Sequence, residues 1–510
     1  MTARRRRPHP ALPALAAGLL AAGCSALAPS LRAPDEGGPP WRELSTEHFL
    51  LWTDLDEGDA RAAAAQLEWI RAAVVAAVWQ SPVEPEARVG VVALRSEREL
   101  RLFTRGDVPG WVIADPNQPR LVFHAVGGEV PARGVAREVA LQLADFAWLR
   151  QPRWLRAGLA AYLETLTPLA AGATALVGLE PAWVGSAGRA GPEDLFAWDA
   201  RDARRGGEAF RARNASAWAL THFLVDERGQ AFTAFQGRLG AGMSPERAWR
   251  ESFPGYDPRA GGLERLRRDL EAWSELGRLA KRAVPVSPAA SRPAERLMRP
   301  AELHALWAVL WISVPPEWAP PAEFRRARAE EESAQALARD PSDPSALFVS
   351  IWLAPEREQA ARARAAARAA PDDWRIWLLV AGALGPAEGA EREAALRRAR
   401  ELQPDQPAVL SALARQLVAS GKAEEAAAVA ARAVERAAWK AFPLDVLSQA
   451  EAAAGRCREA LAAGRRGLEI LPDWVAARER EEMASRLAGL EARCGEGQPA
   501  REPGPRPSAG

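Results

Sequence analysis

A chain of 510 residues is long enough for two or three domains, and with 48% apolar and 26% charged residues it has an ordinary globular composition. A formal net charge of +1 removes the electrostatic basis for general nucleic-acid binding. Its basic residues are almost all arginine, with Lys281, Lys422 and Lys440 as the only lysines. Together with the heavy use of alanine, this reads as the bias of a GC-rich genome and not as phosphate recognition.

Arg4, Arg5, Arg6 and Arg7 precede an apolar run over 11–22, too short to span a bilayer as a mature helix, which ends in Leu20-Ala21-Ala22-Gly23-Cys24. This resembles a bacterial lipoprotein signal, in which cleavage before the cysteine leaves it lipid-modified. The usual pattern puts leucine three residues before the cysteine; here Ala21 is there and Leu20 lies one further out. An ordinary secretory signal is the other reading, and either exports the chain. The lipoprotein resemblance implies a signal peptide over 1–23, lipidation at Cys24, attachment to a membrane by that lipid, and a bacterial cell-envelope location. Residues 24–40, rich in Pro, Gly and Ala, are expected to form a flexible tether. No later stretch approaches 18 uninterrupted apolar residues.

The folded part opens at Trp41, and Phe49-Leu50-Leu51-Trp52 suggests a strand. An Ala-rich helix follows over 60–79, with Leu67, Ile70, Val74 and Val78 at helical spacing. A buried strand is expected over 89–94, a short helix over 97–103, and strands over 111–113 and 120–124, separated by a turn at Asp115-Pro116-Asn117. Val135, Val139, Leu143 and Phe146 then mark an amphipathic helix that Pro152 ends. A second helix opens at Trp154-Leu155 and carries Gly158-Leu159-Ala160 and Tyr162-Leu163-Glu164. Helices are expected over 216–228 and 229–239, from Ser244 as an N-cap with Pro245 in the first turn, and over 256–273.

The pair of helices over 134–164 resembles the core of the peptidase MA-like family of gluzincin zinc metallopeptidases. That family carries His-Glu-x-x-His on its first helix and Trp-Leu-x-Glu-Gly-Leu-Ala-x-Tyr on its second, the two histidines and the second glutamate holding the metal. Here the histidine positions are Arg137 and Leu141, the general-base position keeps Glu138, and the third-ligand position is Ala157. The resemblance covers about 41–273, but all three ligand positions have lost their donors. Arginine offers no lone pair, and leucine and alanine have no donor atom. A lone carboxylate holds no catalytic zinc, so neither a metal nor another cofactor is expected. Of the five histidines, His9 lies in the signal segment and His304 in the second half. His48, His124 and His222 each sit in an apolar strand or helix, and His124 is the one placed to face the cleft. Two readings of Arg137 stand: a guanidinium that supplies the missing cation and meets a carboxylate in or beside the old cleft, or a surface residue.

Residues 276–300, with Pro, Ser and Ala abundant over 283–300, are expected to be a linker. Beyond it the chain reads as helical and repetitive. Leu410, Leu413, Ala414, Leu417, Gly421, Ala426 and Ala430 return as Leu444, Leu447, Ser448, Glu451, Gly455, Ala460 and Gly464, at a constant offset of 34. Pro-Asp recurs at Pro371, Pro404 and Pro472. The period, the Gly at the turn and the Pro after the second helix resemble tetratricopeptide (TPR) repeats. Units are expected to start near 302, 343, 374, 408 and 442, followed by a capping helix over 475–493; a generic helical bundle is the alternative. The repeat geometry puts Cys457 at the start of a second helix and Cys494 at the end of the capping helix, so a disulfide between them is the expectation. Residues 496–510 are expected to be disordered.

The fold expected is thus multidomain: an α+β gluzincin-like domain over 41–275 followed by an all-α TPR-like solenoid over 301–495. The leading functional expectation is a non-catalytic envelope lipoprotein, a pseudo-metallopeptidase joined to a TPR scaffold that recruits a protein partner. The alternatives are an active metal-dependent peptidase with substitute ligands such as Glu138 and His124, and a protein in which only the repeats matter.

Overall fold

The structure is a computed structural model and describes residues 31–79, 88–106, 108–113, 120–127, 129–148, 151–185, 187–198, 207–277, 279–287, 292–437, 440–471 and 477–495. The signal segment with His9, Cys24, the first part of the tether, the turn at 115–117 and the tail over 496–510 lie outside the described residues. Among the described residues, no helix is long and apolar enough to cross a membrane.

The first part is built on a six-stranded mixed sheet. In chain order it contains β1 (Arg42–Ser45), β2 (Phe49–Thr53), α1 (Glu57–Val78), β3 (Val89–Leu94), α2 (Glu97–Phe103), β4 (Gly110–Ile113), β5 (Arg120–His124), α3 (Ala132–Ala147) and α4 (Arg153–Leu163). The strands from β4 to β1 lie in the order β4-β5-β3-β2-β1, with β3 parallel to both β2 and β5. Side-chain alternation splits the sheet into two buried faces. Phe49, Leu51, Val91, Ala93, Leu121 and Phe123 pack with α1 and α3. Val92, Leu94, Trp111 and Val122 join Trp41, Leu100 and Phe103 on the other side. Central β3 is buried on both faces, which is why it reads as a continuous apolar run.

Behind α4 come β6 (Thr167–Leu169), β7 (Thr174–Val177), α5 (Pro192–Phe196), α6 (Gly207–Glu227), α7 (Gly229–Gly240), α8 (Pro245–Ser252) and α9 (Gly262–Glu275). Gly158 lets α4 and α6 approach closely, because a Cβ there would collide with the Ala217 carbonyl and the Thr221 hydroxyl. Trp154 at the head of α4 stacks on Phe235 of α7 at 6.0 Å and meets Trp249 of α8 edge-on at 5.7 Å. These apolar contacts fix the α3–α4 pair against the helical floor.

Residues 276–300 are not a free linker. They contain β8 (Arg282–Pro285), which joins β6 and β7 in a three-stranded sheet, and β9 (Ala294–Leu297), which pairs with β1 as the edge of the large sheet. Arg296 reaches Glu43 at 2.7 Å and Glu302 at 2.8 Å, and Arg42 meets Glu295 at 2.8 Å. The composition hides both strands for a physical reason. Their side chains are mostly exposed, so they carry no apolar alternation, and the backbone ladder defines them. The described part of the tether is docked as well. Ala33 is fully buried, and Arg339 grips Asp35 and Glu36, each at 2.6 Å.

The remainder is a TPR-like stack of helical hairpins. Their helices are α10 (Pro300–Ser313) with α11 (Ala322–Arg339), α12 (Pro344–Leu353) with α13 (Glu356–Ala369), α14 (Trp374–Ala383) with α15 (Gly389–Leu402), α16 (Pro407–Ala419) with α17 (Ala423–Arg436), and α18 (Ala441–Ala453) with α19 (Cys457–Ile470). A final helix, α20 (Ala477–Gly495), caps the stack. Gly421 and Gly455 turn their hairpins at φ of 72° and 78°, a conformation that strains other residues. Asp343 and Asp373 cap α12 and α14 by accepting backbone hydrogen bonds.

The expected boundary at 300 is absent in packing terms. Helix α10 is apolar all round, and its Leu303, Trp307, Leu310 and Trp311 share one core with Trp41, Val92, Phe103 and Trp111 of the sheet. The Trp307 ring meets Trp41 edge-on at 6.1 Å, and Trp311 lies 4.8 Å from Phe103. At the far end of the stack, Arg466 of α19 donates to the Gly242 carbonyl between α7 and α8 at 3.0 Å.

Candidate functional site

Helices α3 and α4 bring the motif positions together. Leu141 is buried, and Ala157 packs against the core of the first part. Arg137 is half-buried; its Nη1 donates to Glu164 Oε2 at 3.1 Å, at the C-terminal end of α4. The other oxygen of Glu164 accepts from Trp183 Nε1 at 2.6 Å. The acid that meets Arg137 is therefore one helix away and not Glu138, its neighbour in sequence.

Glu138 is half-buried and accepts no hydrogen bond among the described residues. Burial pushes its carboxyl above the usual range, Arg137 and Arg156 oppose that, and Asp145 adds to it. Arg156 itself is committed to Asp145, with Nε to Oδ1 at 3.0 Å and Nη2 to Oδ2 at 3.1 Å, while Gln151 donates to Oδ1 at 2.7 Å. The helix pair is thus lined by two Arg–carboxylate pairs with a desolvated glutamate beside them.

This donor set does not fit zinc. A catalytic zinc site needs three protein donors and an open position, and two of the three ligand positions here carry hydrocarbon while the third carries a cation. Among the described residues, no group of three His, Cys, Asp or Glu is arranged to hold a metal.

The histidines lie elsewhere, each with a local partner. His124 ends β5, and its Nδ1 lies 3.2 Å from the Ala125 carbonyl. His48 binds Glu68 twice, through Nδ1 at 2.7 Å and the backbone N–H at 2.9 Å. Burial alone would raise Glu68, but hydrogen bonds from His48 and Thr46 outweigh it and bring the carboxyl below the usual range. His304 meets Glu332 at 2.6 Å inside the α10–α11 hairpin. His222 is fully buried, with Nδ1 3.0 Å from Asp226 and Nε2 3.0 Å from the Gly178 carbonyl. Tyr162, Trp218 and Trp273 surround its ring, and burial pushes the Tyr162 hydroxyl up to about 12.

Sequence reasoning did not single out Glu164, Trp183 or Asp54. Glu164 and Trp183 belong to no periodic pattern, and only the α3–α4 geometry brings them to Arg137. Asp54 directly follows β2 and is buried, and burial and the nearby Glu99 raise its carboxyl to about 7 against the pull of Arg95.

On the repeats, Trp352 of α12, Gly382 of α14, Arg415 of α16 and Gln449 of α18 each occupy the ninth residue of the first helix of a hairpin. Trp352 is 50% exposed, and the Arg415 guanidinium lies 4.9 Å over the exposed ring of Phe442. At the cap, Cys457 and Cys494 form a disulfide with a Cα separation of 5.7 Å, tying the start of α19 to the end of α20.

No protein family matches this chain, and no curated protein matches it. Among solved structures it is similar to TTC0263, a thermophilic TPR protein in Thermus thermophilus, with 17% identity over 34% of this chain and 93% of that one at a TM-score of 0.27. It is also similar to the MamA protein, with 12% identity over 37% of this chain and 94% of that one, again at a TM-score of 0.27. The repeat assignment stands on the chain's own 34-residue period and paired helices.

Proposed function

We propose that the protein is a non-catalytic, exported scaffold. In this reading a peptidase MA-like domain has lost its metal and keeps its shape, the TPR-like stack recruits a protein partner, and a lipid on Cys24 holds the chain at a membrane of the cell envelope. The observation that carries the proposal is the Arg137–Glu164 pair. Where the resemblance would place a metal ligand, the chain puts a guanidinium whose charge is already neutralised by a carboxylate 3.1 Å away. A guanidinium so placed has no lone pair to give a metal, and without a metal there is no Lewis acid for hydrolysis.

The test is metal content and peptide hydrolysis of the full-length purified protein. The expected result is substoichiometric zinc and no cleavage of a peptide library. Stoichiometric zinc with cleavage abolished by Glu138→Gln would establish the active-peptidase reading instead. For the scaffold role, chemical crosslinking in envelope preparations should give a discrete partner whose yield falls in a Trp352→Glu/Arg415→Glu variant. Unchanged crosslinking would move the partner surface off the repeats. Intact mass of detergent-extracted protein tests lipidation, which a Cys24→Ser variant should lose.

A further inference from the structure

A cavity of about 540 Å³ opens past the C-terminal end of α4. Arg133, one turn before Arg137 on α3, forms one side, with buried Thr165 just past α4 next to it. Leu179 and Glu180 after β7, and Leu279 and Lys281 before β8, form the other sides. Arg133 and Lys281 are exposed, and neither has a carboxylate partner among the described residues. Two cations without a carboxylate partner thus line one cavity.

The walls are fixed from behind. Thr165 Oγ1 donates to the Leu179 carbonyl at 2.8 Å. The buried His222 ring bonds the Gly178 carbonyl, and its neighbour Asp226 accepts from the Ala280 backbone N–H at 3.3 Å. One buried His–Asp pair therefore reaches both the wall after β7 and the wall before β8. Gly178 holds a φ of 85°, and a Cβ there would press on the Ala280 carbonyl, the Tyr162 hydroxyl and His222 Nε2. A cavity whose walls are set before any ligand arrives loses less ordering entropy on binding.

We propose that this cavity binds a short peptide zwitterion. Two cations with one acid can pair both ends of a zwitterion, whereas a dianion such as phosphate would leave the Glu180 carboxylate unpaired beside it. Arg133 and Lys281 take the carboxylate, Glu180 takes the ammonium, and Leu179 with Leu279 receives an apolar side chain. The inference rests on the non-catalytic reading in one respect, namely that the ligand is held and not cut.

Calorimetric titration of the full-length protein tests it, with the dipeptide Leu-Leu as the probe. Leu-Leu is expected to bind and to be recovered intact. Its C-terminal amide, and separately an Arg133→Gln/Lys281→Gln variant with Leu-Leu, should each lose about tenfold in affinity, as expected when a charge-assisted hydrogen bond is removed. Gly178→Ala should weaken binding by displacing a wall while leaving both cations in place. Absence of binding, equal binding of the amide, or inorganic phosphate binding as tightly as Leu-Leu would overturn the assignment. Recovery of leucine from a zinc-loaded protein would instead sink the non-catalytic reading and leave the site standing, so the two failures are distinct.

Discussion

Replacing Trp307 by alanine tests whether the sheet and the repeats are one cooperative body. Trp307 is 1% exposed at the centre of the core that α10 shares with the sheet. A buried tryptophan removes roughly 150–250 Å² from water, on the order of 4–6 kcal/mol at about 25 cal/mol per Å². Its indole N–H is buried without a partner, so truncation also removes an unsatisfied donor worth ~1 kcal/mol or more. The net loss should therefore fall near the lower end of the measured Trp→Ala range, about 3–4 kcal/mol. Hydrogen exchange read by mass spectrometry is the assay. In Trp307→Ala, amides of β3, β4 and β5 should lose protection together with those of α10 and α11. The control is Leu413→Ala, fully buried in α16. It should cost about 2–5 kcal/mol but leave strand protection unchanged, since a stacked repeat feels mainly its neighbours. Loss confined to α10 and α11, with the strands untouched, would mean that the repeats are an independent domain on a linker and that the shared core contributes nothing to cooperativity.

Three further outcomes follow from the same geometry. Arg137→Ala strands the Glu164 carboxylate with only Trp183; because the pair is partly screened, the cost should be about 1–2 kcal/mol, with much of it recovered in Arg137→Ala/Glu164→Gln. Strictly additive effects in urea melts would show that the pair has no coupling. Asp54, raised to about 7 from 3.8, keeps its proton in the folded state between about pH 4 and 7 while the unfolded chain has released it, so this group makes stability fall as pH rises through that window. Asp54→Asn keeps an acceptor for the Arg95 N–H and cannot ionise, so its stability relative to the parent should climb with pH, by on the order of 2–4 kcal/mol between pH 4.5 and 7.5. A difference that stays flat across that range would remove Asp54 from the account. Finally, Cys457→Ser/Cys494→Ser opens a closed loop with a sequence separation of 37, worth about 3–4 kcal/mol on chain-entropy grounds. Exchange should quicken in α19 and α20 alone; loss of protection as far as α12 would contradict the nearest-neighbour picture of the stack.

The helical stack was the most legible part of the chain. A period of 3.6 marks each helix, an offset of 34 relates the last two hairpins, and all five hairpins begin within two residues of the positions expected from sequence. Strands β3 and β5 were legible because they are buried runs. Strands β8 and β9 were not, because edge strands with exposed side chains owe their place to partners distant in sequence: β9 pairs with β1 across some 250 residues. Helix α10 did carry a signal. Leu303, Leu306, Trp307, Leu310 and Trp311 leave it without a polar face, which is the pattern of a helix covered on all sides and not of a terminal repeat facing water. At the site, an acid for Arg137 could be expected from electrostatics, but its identity as Glu164 depends on the crossing of α3 and α4. The cavity past α4 depends on loops that no periodicity describes.

The shared core also decides which part of the repeat stack is free to bind. In an isolated solenoid the first helices of successive hairpins form one continuous face. Here the first of them, α10, is used up against the sheet, since Leu303, Trp307, Leu310 and Trp311 are buried in the core it shares with Trp41, Val92 and Trp111. The usable face therefore starts at α12, whose Trp352 stands exposed, and continues through Arg415 and Phe442 to α18. At its far end Arg466 meets the Gly242 carbonyl, so the stack touches the first part at both termini. The two attachments differ greatly in strength: several buried aromatic rings at α10 and, among the described residues, the Arg466–Gly242 hydrogen bond at α19. A partner that changes the curvature of the stack would meet little resistance at Arg466 and a great deal at Trp307. Any rearrangement should hinge near α12 and open at Gly242. For the same reason, removing 301–495 as a block would strip the sheet of one face of its core and expose Trp41, Val92 and Trp111, so the role of the repeats has to be read from surface substitutions in the intact chain.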